Sequence, residues 1–414
     1  MGGRSSTASK GADGAEKNGS SREAQNLALS KPWEEVMKNG LGVTKKKGSS
    51  YFDVHEALSD DSDMSSESIK PSEPTRVYFA CTVQGFRKDQ DRFVCIPQLL
   101  DSPSVLFCGI FDGHGRDGDI VAESVAVFLP QTLREELGKR IQTSSSTSGN
   151  TSRSQSISTK SVHEAIETAF EITQKSLDSQ YEEEVVIPTM KLKKEIEEQQ
   201  KTDLGRVSLP LGSGTTATIM LISERLLYVA NVGDSRAILC RKHPSNADQL
   251  VVEDLTKDQN VIASDDAEKE RIEDAGGTIF NRHVAGDFVD GMLQLTRSLG
   301  DVPLHRQNIV LHKPEIKSIP VDASMMFVLT ASDGLWDNFT SEDAAKFVKE
   351  SVVKHTSGAE NSLESETLRD IFTTVSEELE NEAAARASKA GRQSDDISVF
   401  ILSVSRWWGE ANQS

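Results

Sequence analysis

The stretch VLFCGIFDGHG at residues 105–115 is a run of seven apolar or small residues that ends directly in Asp-Gly-His-Gly. A continuous apolar run of this length predicts a strand that is buried on both faces. Two further runs, LLYVANVGD at 226–234 and MMFVLTASDG at 325–334, also end in an aspartate beside a glycine. A fourth, DDISVFILSV at 395–404, begins with two aspartates. The sequence therefore predicts buried strands that carry carboxylates at their ends.

Helical patterns lie between the predicted strands. Apolar residues recur at three- and four-residue spacing over 161–181, and similar patterns occur at 344–353 and 368–379. Such spacing is typical of helices that bury one face. Strands and helices are thus mixed over residues 76–405, which favours an α/β or α+β domain in which helices cover sheets.

The composition limits the class of protein. Hydrophobic residues make up 36% of the 414 residues, and 46 basic against 65 acidic side chains give a net charge of −19. A nucleic-acid binder needs net positive surface, so this class is not expected for the whole chain. The sequence contains no apolar run of ~18 residues that would span a membrane and no apolar secretory leader, and we expect an intracellular protein. The four cysteines are expected to be buried free thiols.

Parts of the chain are predicted to remain outside the packed domain. Residues 1–75 form an expected disordered tail because apolar residues are sparse there, and 406–414 are expected to be a short C-terminal tail. Low-complexity inserts are predicted at about 143–160 and 183–207. Any of these segments can also be a spacer without chemistry of its own.

The aspartates at the strand ends suggest a metal site. A single aspartate after a strand is commonly a turn residue. Several carboxylates gathered at one sheet edge would repel one another unless cations neutralise them, and carboxylate oxygens suit magnesium or manganese. Two such ions suit phosphoryl transfer, which also needs a cation to hold phosphate and a proton donor. Arg87 and His114 are available for these roles, although a lone histidine often has none.

Nine segments, in this order, resemble the metal-dependent protein Ser/Thr phosphatases of type 2C, the PPM family. They span residues 76–405 and are GFRKDQDRF, FDGHG, GSGTTATIMLI, YVANVGDSRAIL, ERIEDAGG, LQLTRSLGD, KPEI, LTASDGLWD and SDDISVF. The resemblance implies an α+β fold, a four-layer α-β-β-α sandwich of two antiparallel sheets flanked by helices.

The resemblance also implies a set of metal ligands, with two Mg or Mn ions and a weaker third. Asp112 would bridge the two ions, and the Gly113 carbonyl would serve one of them. Asp333 and Asp395 would hold the other ion. The remaining implied positions are Asp91, which would anchor a water at the metals, and, for the third ion, Asp234 and Asp337.

Two implied residues are catalytic. Arg87 would bind the substrate phosphate, with Lys88 as a fallback because Arg87 lies one residue closer to Asp91 than in the commonest family pattern. His114 would be the general acid that protonates the leaving Ser or Thr oxygen.

The chain departs from the family pattern at three places. Gln90 replaces a glutamate that is common in the family, which removes one negative charge and is expected to loosen a metal. Asp258-Gln259 replaces Asp-His, and Asp396 replaces the usual asparagine, which adds a negative charge beside the site.

The N-terminal sequence suggests where in the cell the protein is located. Residues 1–6, MGGRSS, match the pattern for N-myristoylation, with an unmodified Gly2 as the alternative. A single myristoyl chain binds membranes marginally, and residues 1–47, with nine basic and five acidic side chains, are a candidate second signal. The acidic, serine-rich stretch at 59–68 is a candidate phosphorylation segment. We expect a cytoplasmic protein with peripheral membrane contact, and a nuclear location is left open.

The resulting prediction is a monomeric signalling phosphatase. It would hydrolyse phosphoserine and phosphothreonine in proteins in a single step, by attack of a water activated by a binuclear Mg/Mn centre and without a phosphoenzyme. Two alternatives remain: a catalytically weak or inactive module that keeps the fold and binds partners, and a phosphohydrolase for small phosphate esters.

Overall fold

The computed structural model describes residues 42–43, 50–52, 77–83, 89–100, 105–147, 157–187, 190–191, 212–222, 226–280, 283–285, 293–356 and 365–404. Arg87, Lys88, the sequence at 1–6, the acidic stretch at 59–68 and the tail at 406–414 lie outside these residues.

The strands and helices of the described residues are numbered in chain order. The strands are β1 (Gly42–Val43), β2 (Ser50–Phe52), β3 (Val77–Val83), β4 (Arg92–Leu100), β5 (Val105–Phe111), β6 (Gly113–His114), β7 (Gly214–Thr215), β8 (Ala217–Ile222), β9 (Leu226–Val232), β10 (Arg236–His243), β11 (Asn246–Asp254), β12 (Thr278–Phe280), β13 (His283–Ala285), β14 (Leu299–Gly300), β15 (Glu315–Pro320), β16 (Met325–Ala331) and β17 (Ile397–Ser403). The helices are α1 (Gly118–Thr147), α2 (Thr159–Tyr181), which continues into a π-helical turn at Glu182–Val186, α3 (Asp266–Asp274), α4 (Val302–His305), α5 (Asp333–Trp336), α6 (Ser341–Thr356) and α7 (Ser365–Lys389).

Within the described residues, twelve strands form two six-stranded sheets. The first sheet has the order β1-β4-β5-β8-β9-β15, and the second has the order β11-β10-β16-β17-β3-β2. Every pairing in both sheets is antiparallel. Strands β14, β7 and β6, in this order, form a small separate sheet that shares no strand with the two large ones.

The two large sheets pack face to face. One buried cluster joins Cys108 and Met220 of the first sheet to Leu239, Val328 and Phe400 of the second. The continuous apolar runs predicted from the sequence are therefore strands buried on both faces, as β5, β16 and β17 show.

Helices cover the outer faces. On the second sheet, α6 and α7 bury residues such as Val348 and Phe372 against Leu329 and Ile401. On the first sheet, α1 contacts β4 and β5 and is itself covered by α2. The apolar positions predicted for α2 are buried, namely Val162, Ile166, Ala169, Phe170, Thr173 and Leu177. The predicted α+β, four-layer α-β-β-α sandwich is confirmed.

Two short strands lie within residues 1–75, which the sequence predicts to be a disordered tail. β1 pairs with β4 at the edge of the first sheet, and β2 pairs with β3 at the edge of the second. Such pairing uses backbone groups alone and leaves no apolar pattern in the sequence, which explains why composition did not indicate it.

The inserts also have helical ends. α1 runs to Thr147, inside the first predicted insert, and α2 begins at Thr159, where the Ser158 hydroxyl accepts a hydrogen bond from the Ser161 amide. The side chains of Cys95, Cys108 and Cys240 are buried and free, and burial raises the pKa of the Cys240 thiol to about 12. No described helix combines the length and apolar character needed to cross a bilayer.

The packing of the second sheet against its helices can be tested at Phe372, whose side chain is fully buried. We expect Phe372→Ala to lower the free energy of unfolding by about 3–5 kcal/mol, because the substitution removes apolar contacts and leaves a cavity. The matched control is Phe280→Ala, at a side chain that is 55% exposed, with an expected change within about 0.5 kcal/mol. Urea unfolding of the two variants measures both values, and equal losses would contradict the assigned packing.

Candidate active site

Antiparallel pairing brings the aspartates of the motifs to one end of the sandwich. Arg92, the first residue of β4, pairs with Phe111, the last residue of β5, so Asp91 and Asp112 extend from adjoining strand ends. In the second sheet Ala331, the last residue of β16, pairs with Val399 near the start of β17. This register places Asp333 beside the 395–396 pair.

Asp91 is a buried carboxylate with one unpaired oxygen. Its side chain is 3% exposed, and its Oδ2 accepts a hydrogen bond of 2.8 Å from the Ser332 hydroxyl. Its Oδ1 is buried and finds no hydrogen-bond partner among the described residues. Burial raises the pKa of Asp91 to about 7, against hydrogen bonds from Ser398 and Ser332, and the charges of Asp396 and Asp89 raise it further.

Asp112 is held through its backbone. Its amide donates to the Thr216 hydroxyl at 3.0 Å, and its carbonyl accepts from the Thr216 amide at 2.8 Å. Among the described residues no hydrogen bond reaches its carboxylate. Burial raises the pKa of Asp112 well above its ordinary value, and the charges of Asp91, Asp333, Asp234 and Asp395 add to the shift.

Asp333 opens the short helix α5. Burial raises its pKa well above the ordinary value, and the charges of Asp234, Asp395, Asp337 and Asp91 raise it in turn. The carboxylates that the sequence assigned to a metal centre therefore lie near enough to disfavour one another's ionisation.

Asp234 lies on the turn between β9 and β10, where Gly233 has a φ of +100°. Burial raises the pKa of Asp234, although Asn260 Nδ2 donates to its Oδ2 at 3.0 Å. The Gly233 amide donates to Gln259 Oε1 at 3.0 Å, and Asp258 binds Arg236 with both oxygens at 2.9 and 2.5 Å. The Asp258-Gln259 departure from the family pattern is thus part of the support for the Asp234 turn.

Asp337 and Asp395 lie at the rim of this group. The Asp337 side chain is 68% exposed, and its Oδ2 lies 3.6 Å from a guanidinium nitrogen of Arg392. The part of the carboxylate that is shielded from water still raises the pKa of Asp337. Asp395 is exposed, and its Oδ1 accepts a hydrogen bond of 2.9 Å from the Asp396 amide.

Gly113 occupies a position where only glycine fits. A Cβ there would lie 2.4 Å from the Gly118 carbonyl oxygen and 2.7 Å from that of Gln90. The Gln90 side chain donates from Nε2 to the Gly115 carbonyl at 3.0 Å, and the backbone N–H of Gln90 donates to Asp396 Oδ2 at 3.0 Å. A glutamate at position 90 has no N–H for the first of these bonds.

The donor set fits a divalent metal in its chemistry. All candidate ligands are oxygens, and one of them, Oδ1 of Asp91, is buried without a hydrogen-bond partner among the described residues. The neighbouring charges disfavour ionisation of these carboxyl groups until a cation is bound. In their present conformations, no three His, Cys, Asp or Glu side chains of the described residues are close enough to bind the same metal ion. Magnesium keeps several waters and takes one or two carboxylates, so this arrangement suits a hydrated ion.

His114 has a buried carboxylate partner that the sequence analysis did not identify. His114 Nε2 lies 2.7 Å from Oδ2 of Asp301, which is 4% exposed. Burial lowers the pKa of His114, but the charge of Asp301 and this hydrogen bond, with the charge of Asp234, raise it above its ordinary value overall. Asp301 ends the quoted segment LQLTRSLGD, and its place after Gly300 was the available signal.

A cavity of about 770 Å³ lies behind the Asp234 turn, lined in part by Arg236, Asp258 and Gln259. Neither Asp112 nor His114 lines this cavity. The carboxylate group is therefore a separate feature, at the end of the sandwich.

The buried carboxylates predict an unusual pH dependence in protein freed of metal by a chelator. The pKa of Asp91 is about 7 in the folded chain and near 3.8 when unfolded, so only the folded chain holds this proton between those values. The free energy of unfolding therefore falls as pH rises from about 4 to 7. Since Asp91→Asn cannot ionise, we expect its stability relative to wild type to improve by about 2–4 kcal/mol between pH 4 and pH 8.

Urea unfolding across this range measures the difference. The control is Asp322→Asn, since hydrogen bonds from Ser324 and Arg241 outweigh burial and lower the pKa of Asp322. Its relative stability should not improve with rising pH. A constant difference between Asp91→Asn and wild type would contradict the raised pKa of Asp91.

Comparisons with known sequences agree with this geometry. The family model for protein phosphatase 2C matches residues 77–390. Protein phosphatase 1L of Bos taurus is 33% identical over 274 residues, which cover 65% of this chain and 62% of that protein. The probable protein phosphatase 2C 59 of Oryza sativa subsp. japonica is 44% identical over 33% of this chain and 37% of its own length. The matches thus span less than two thirds of these two relatives.

Solved structures share the fold. A serine-threonine phosphatase 2C from Toxoplasma gondii superposes with a TM-score of 0.57 at 20% identity, over 80% of this chain and 96% of that one. A sex determining protein from C. elegans gives a TM-score of 0.55 at 22% identity, over 82% of this chain and 68% of that one. With a family model that matches most of the chain and the carboxylates of its motifs gathered at one end of the sandwich, this chain belongs to the protein phosphatase 2C family.

Proposed function

We propose that this chain is a protein serine/threonine phosphatase that hydrolyses phosphoserine and phosphothreonine with two Mg or Mn ions. The observation that carries the proposal is the group formed by Asp91, Asp112, Asp234 and Asp333, in which burial raises every pKa and the charges of neighbouring aspartates raise each one further. Such a group is costly in a folded protein unless it binds cations. Membership of the protein phosphatase 2C family supports phosphorylated proteins as the substrates.

The residues that would hold the metals follow from this group. Asp112 would serve both ions and the Gly113 carbonyl one of them, Asp333 and Asp395 would hold the other, and Asp234 with Asp337 would offer a weaker third position. When bound, two divalent ions would neutralise the phosphate and make a water acidic enough to attack phosphorus in line.

The chain's own side chains supply the remaining steps. Asp91, with its unpaired Oδ1, would accept a hydrogen bond from the attacking water and orient it. Against the lowering effect of burial, the charge and hydrogen bond of Asp301 raise the pKa of His114, which favours its protonated form, and His114 would deliver its proton to the leaving oxygen of serine or threonine. Arg87, outside the described residues, remains the predicted phosphate ligand, with Lys88 as the fallback.

Attack by water in a single step is favoured over a cysteinyl phosphoenzyme. Cys95, Cys108 and Cys240 are buried, and burial raises the pKa of the Cys108 and Cys240 thiols, so these two are poor nucleophiles at neutral pH.

The alternative of an inactive binding module rests on Gln90. The substitution costs the centre one negative charge, but Gln90 uses its amide to hold the Gly115 carbonyl, next to His114. This contact supports a retained active site more than a decayed one.

We expect the purified full chain to hydrolyse a phosphothreonine peptide when manganese is added and to lose this activity with a chelator. The double variant Asp112→Asn/Asp333→Asn should lose at least about 100-fold in kcat, since loss of an outer partner of a metal site alone commonly costs about 10–100-fold. Asp322→Asn, at an exposed carboxylate that binds Arg241, is the matched control and should retain wild-type activity. Activity that survives the double variant would refute the proposed centre.

Calorimetry separates the enzyme from the inactive module without an activity assay. Manganese should bind the wild-type chain with measurable heat and raise its melting temperature, because the ion binds the folded carboxylate group and not the unfolded chain. Asp112→Asn should abolish most of the heat while Asp322→Asn keeps it. A folded wild-type chain that gives no heat would favour the module.

The remaining alternative, a phosphohydrolase for small phosphate esters, can be tested by comparing substrates. A phosphatase that acts on proteins should show a higher kcat/KM for phosphopeptides than for small phosphate esters of similar leaving group, and the reverse order would favour a general phosphohydrolase.

A further inference from the structure

The contact between His114 and Asp301 is built from several parts of the chain. The two side chains are 187 residues apart in sequence and meet at 2.7 Å. The Ser298 hydroxyl donates a second hydrogen bond, of 2.6 Å, to the same Oδ2 of Asp301. A buried carboxylate with two donors on one oxygen has little freedom to turn away from the imidazole.

A small sheet joins the strands that carry the two residues. In the sheet of order β14-β7-β6, Gly214 of β7 pairs with His114 on one side and with Gly300 on the other. A Cβ at Gly214 would lie 2.2 Å from Asp301 Oδ2 and 2.6 Å from His114 Nε2. The absence of a side chain at Gly214 therefore makes room for the contact.

A clamp from helix α2 holds the backbone that presents Asp301. The buried Gln174 donates from Nε2 to the Gly300 carbonyl at 3.0 Å and accepts from the Gly300 amide at 2.9 Å. The Asp301 amide donates to the Ser213 carbonyl at 3.0 Å. Asp301 has a φ of 39°, a left-handed conformation that is uncommon outside glycine and persists only where its surroundings enforce it.

We propose that Asp301 is a positioning residue for the general acid, and that Gln174 is the clamp which keeps it in place. The proposal rests on the proposed phosphatase function. Asp301 Oδ2 accepts a hydrogen bond from the Nε2–H of His114, so the nitrogen left to face the substrate is Nδ1.

In each reaction cycle His114 gives one proton to the leaving oxygen and regains one from the attacking water. As the oxygen of the attacking water bonds to phosphorus, the bond from phosphorus to the serine or threonine oxygen breaks, and its electron pair stays on that oxygen. The oxygen takes the Nδ1 proton of His114, which leaves a neutral imidazole whose Nε2–H still donates to Asp301. The attacking water releases one proton, which restores His114, and the products are the alcohol and phosphate.

The dependence on leaving group tests this role. A general acid matters for a poor leaving group such as threonine and little for 4-nitrophenolate, which leaves without protonation. We expect Asp301→Asn to lower kcat for a phosphothreonine peptide by about 10-fold or more and kcat for 4-nitrophenyl phosphate by less than about 3-fold. His114→Ala should show the same pattern, and the double variant should lose no more than His114→Ala alone.

Two further variants guard against a folding defect. Gln174→Leu should shift the ratio of the two kcat values in the same direction but less, since it loosens the backbone and keeps the carboxylate. Gln180→Leu, at a half-buried glutamine of the same helix whose Nε2 donates to Glu184 at 3.3 Å, is the matched control and should leave the ratio unchanged. Equal losses on both substrates, or additive losses in the double variant, would overturn the positioning role.

A readout without catalysis separates this proposal from the phosphatase function. In the metal-free full chain, nitrogen NMR at a pH high enough to make His114 neutral should show its remaining proton on Nε2, and Asp301→Asn should change that signal. An unchanged signal would overturn the pairing even in an active enzyme. A chain without phosphatase activity, but with the expected signal, would contradict the proposed function and leave the pairing intact.

Discussion

The repulsion among buried carboxylates is the constraint on which the rest of this structure depends. Asp91, Asp112 and Asp333 lie at one end of a sandwich, where burial and the charges of neighbouring aspartates raise their pKa values. No folded chain gathers such groups without a strong scaffold, since each raised pKa lowers stability at neutral pH. The scaffold here is a pair of antiparallel sheets whose cores hold the strand ends in register.

The backbone around these carboxylates is held by neutral groups. The Thr216 hydroxyl accepts from the Asp112 amide, the Ser332 hydroxyl donates to Asp91, and the Asn260 side chain donates to Asp234. An arginine or lysine in these places would have cancelled the negative charge. Neutral donors orient a carboxylate yet leave its charge available. The only ion pair at the group that the described residues show is the long contact from Arg392 to the exposed Asp337. The arrangement therefore retains negative charge where a divalent cation can bind it.

The sequence predicted the parts of this molecule that depend on local pattern. Apolar runs revealed β5, β16 and β17, and periodicity revealed the buried face of α2. Strand direction needed the family resemblance, because a doubly buried run looks alike in parallel and antiparallel sheets. Asp301 escaped detection as the partner of His114 because a contact across 187 residues, made possible by an absent side chain at Gly214, leaves no periodic signal.

Two departures from the family pattern meet in space and offset each other. Gln90 in place of glutamate removes a negative charge, and Asp396 in place of asparagine adds one. The Gln90 backbone N–H donates to Asp396 Oδ2 at 3.0 Å, and the charge of Asp396 is among those that raise the pKa of Asp91. The total negative charge beside Asp91 thus matches that of the family pattern, although its position has moved from one strand end to its neighbour. Since a cation responds to the summed field of nearby charges, the exchange would leave the attraction for a metal ion at the proposed centre largely unchanged, while the Gln90 side-chain amide holds the loop beside His114.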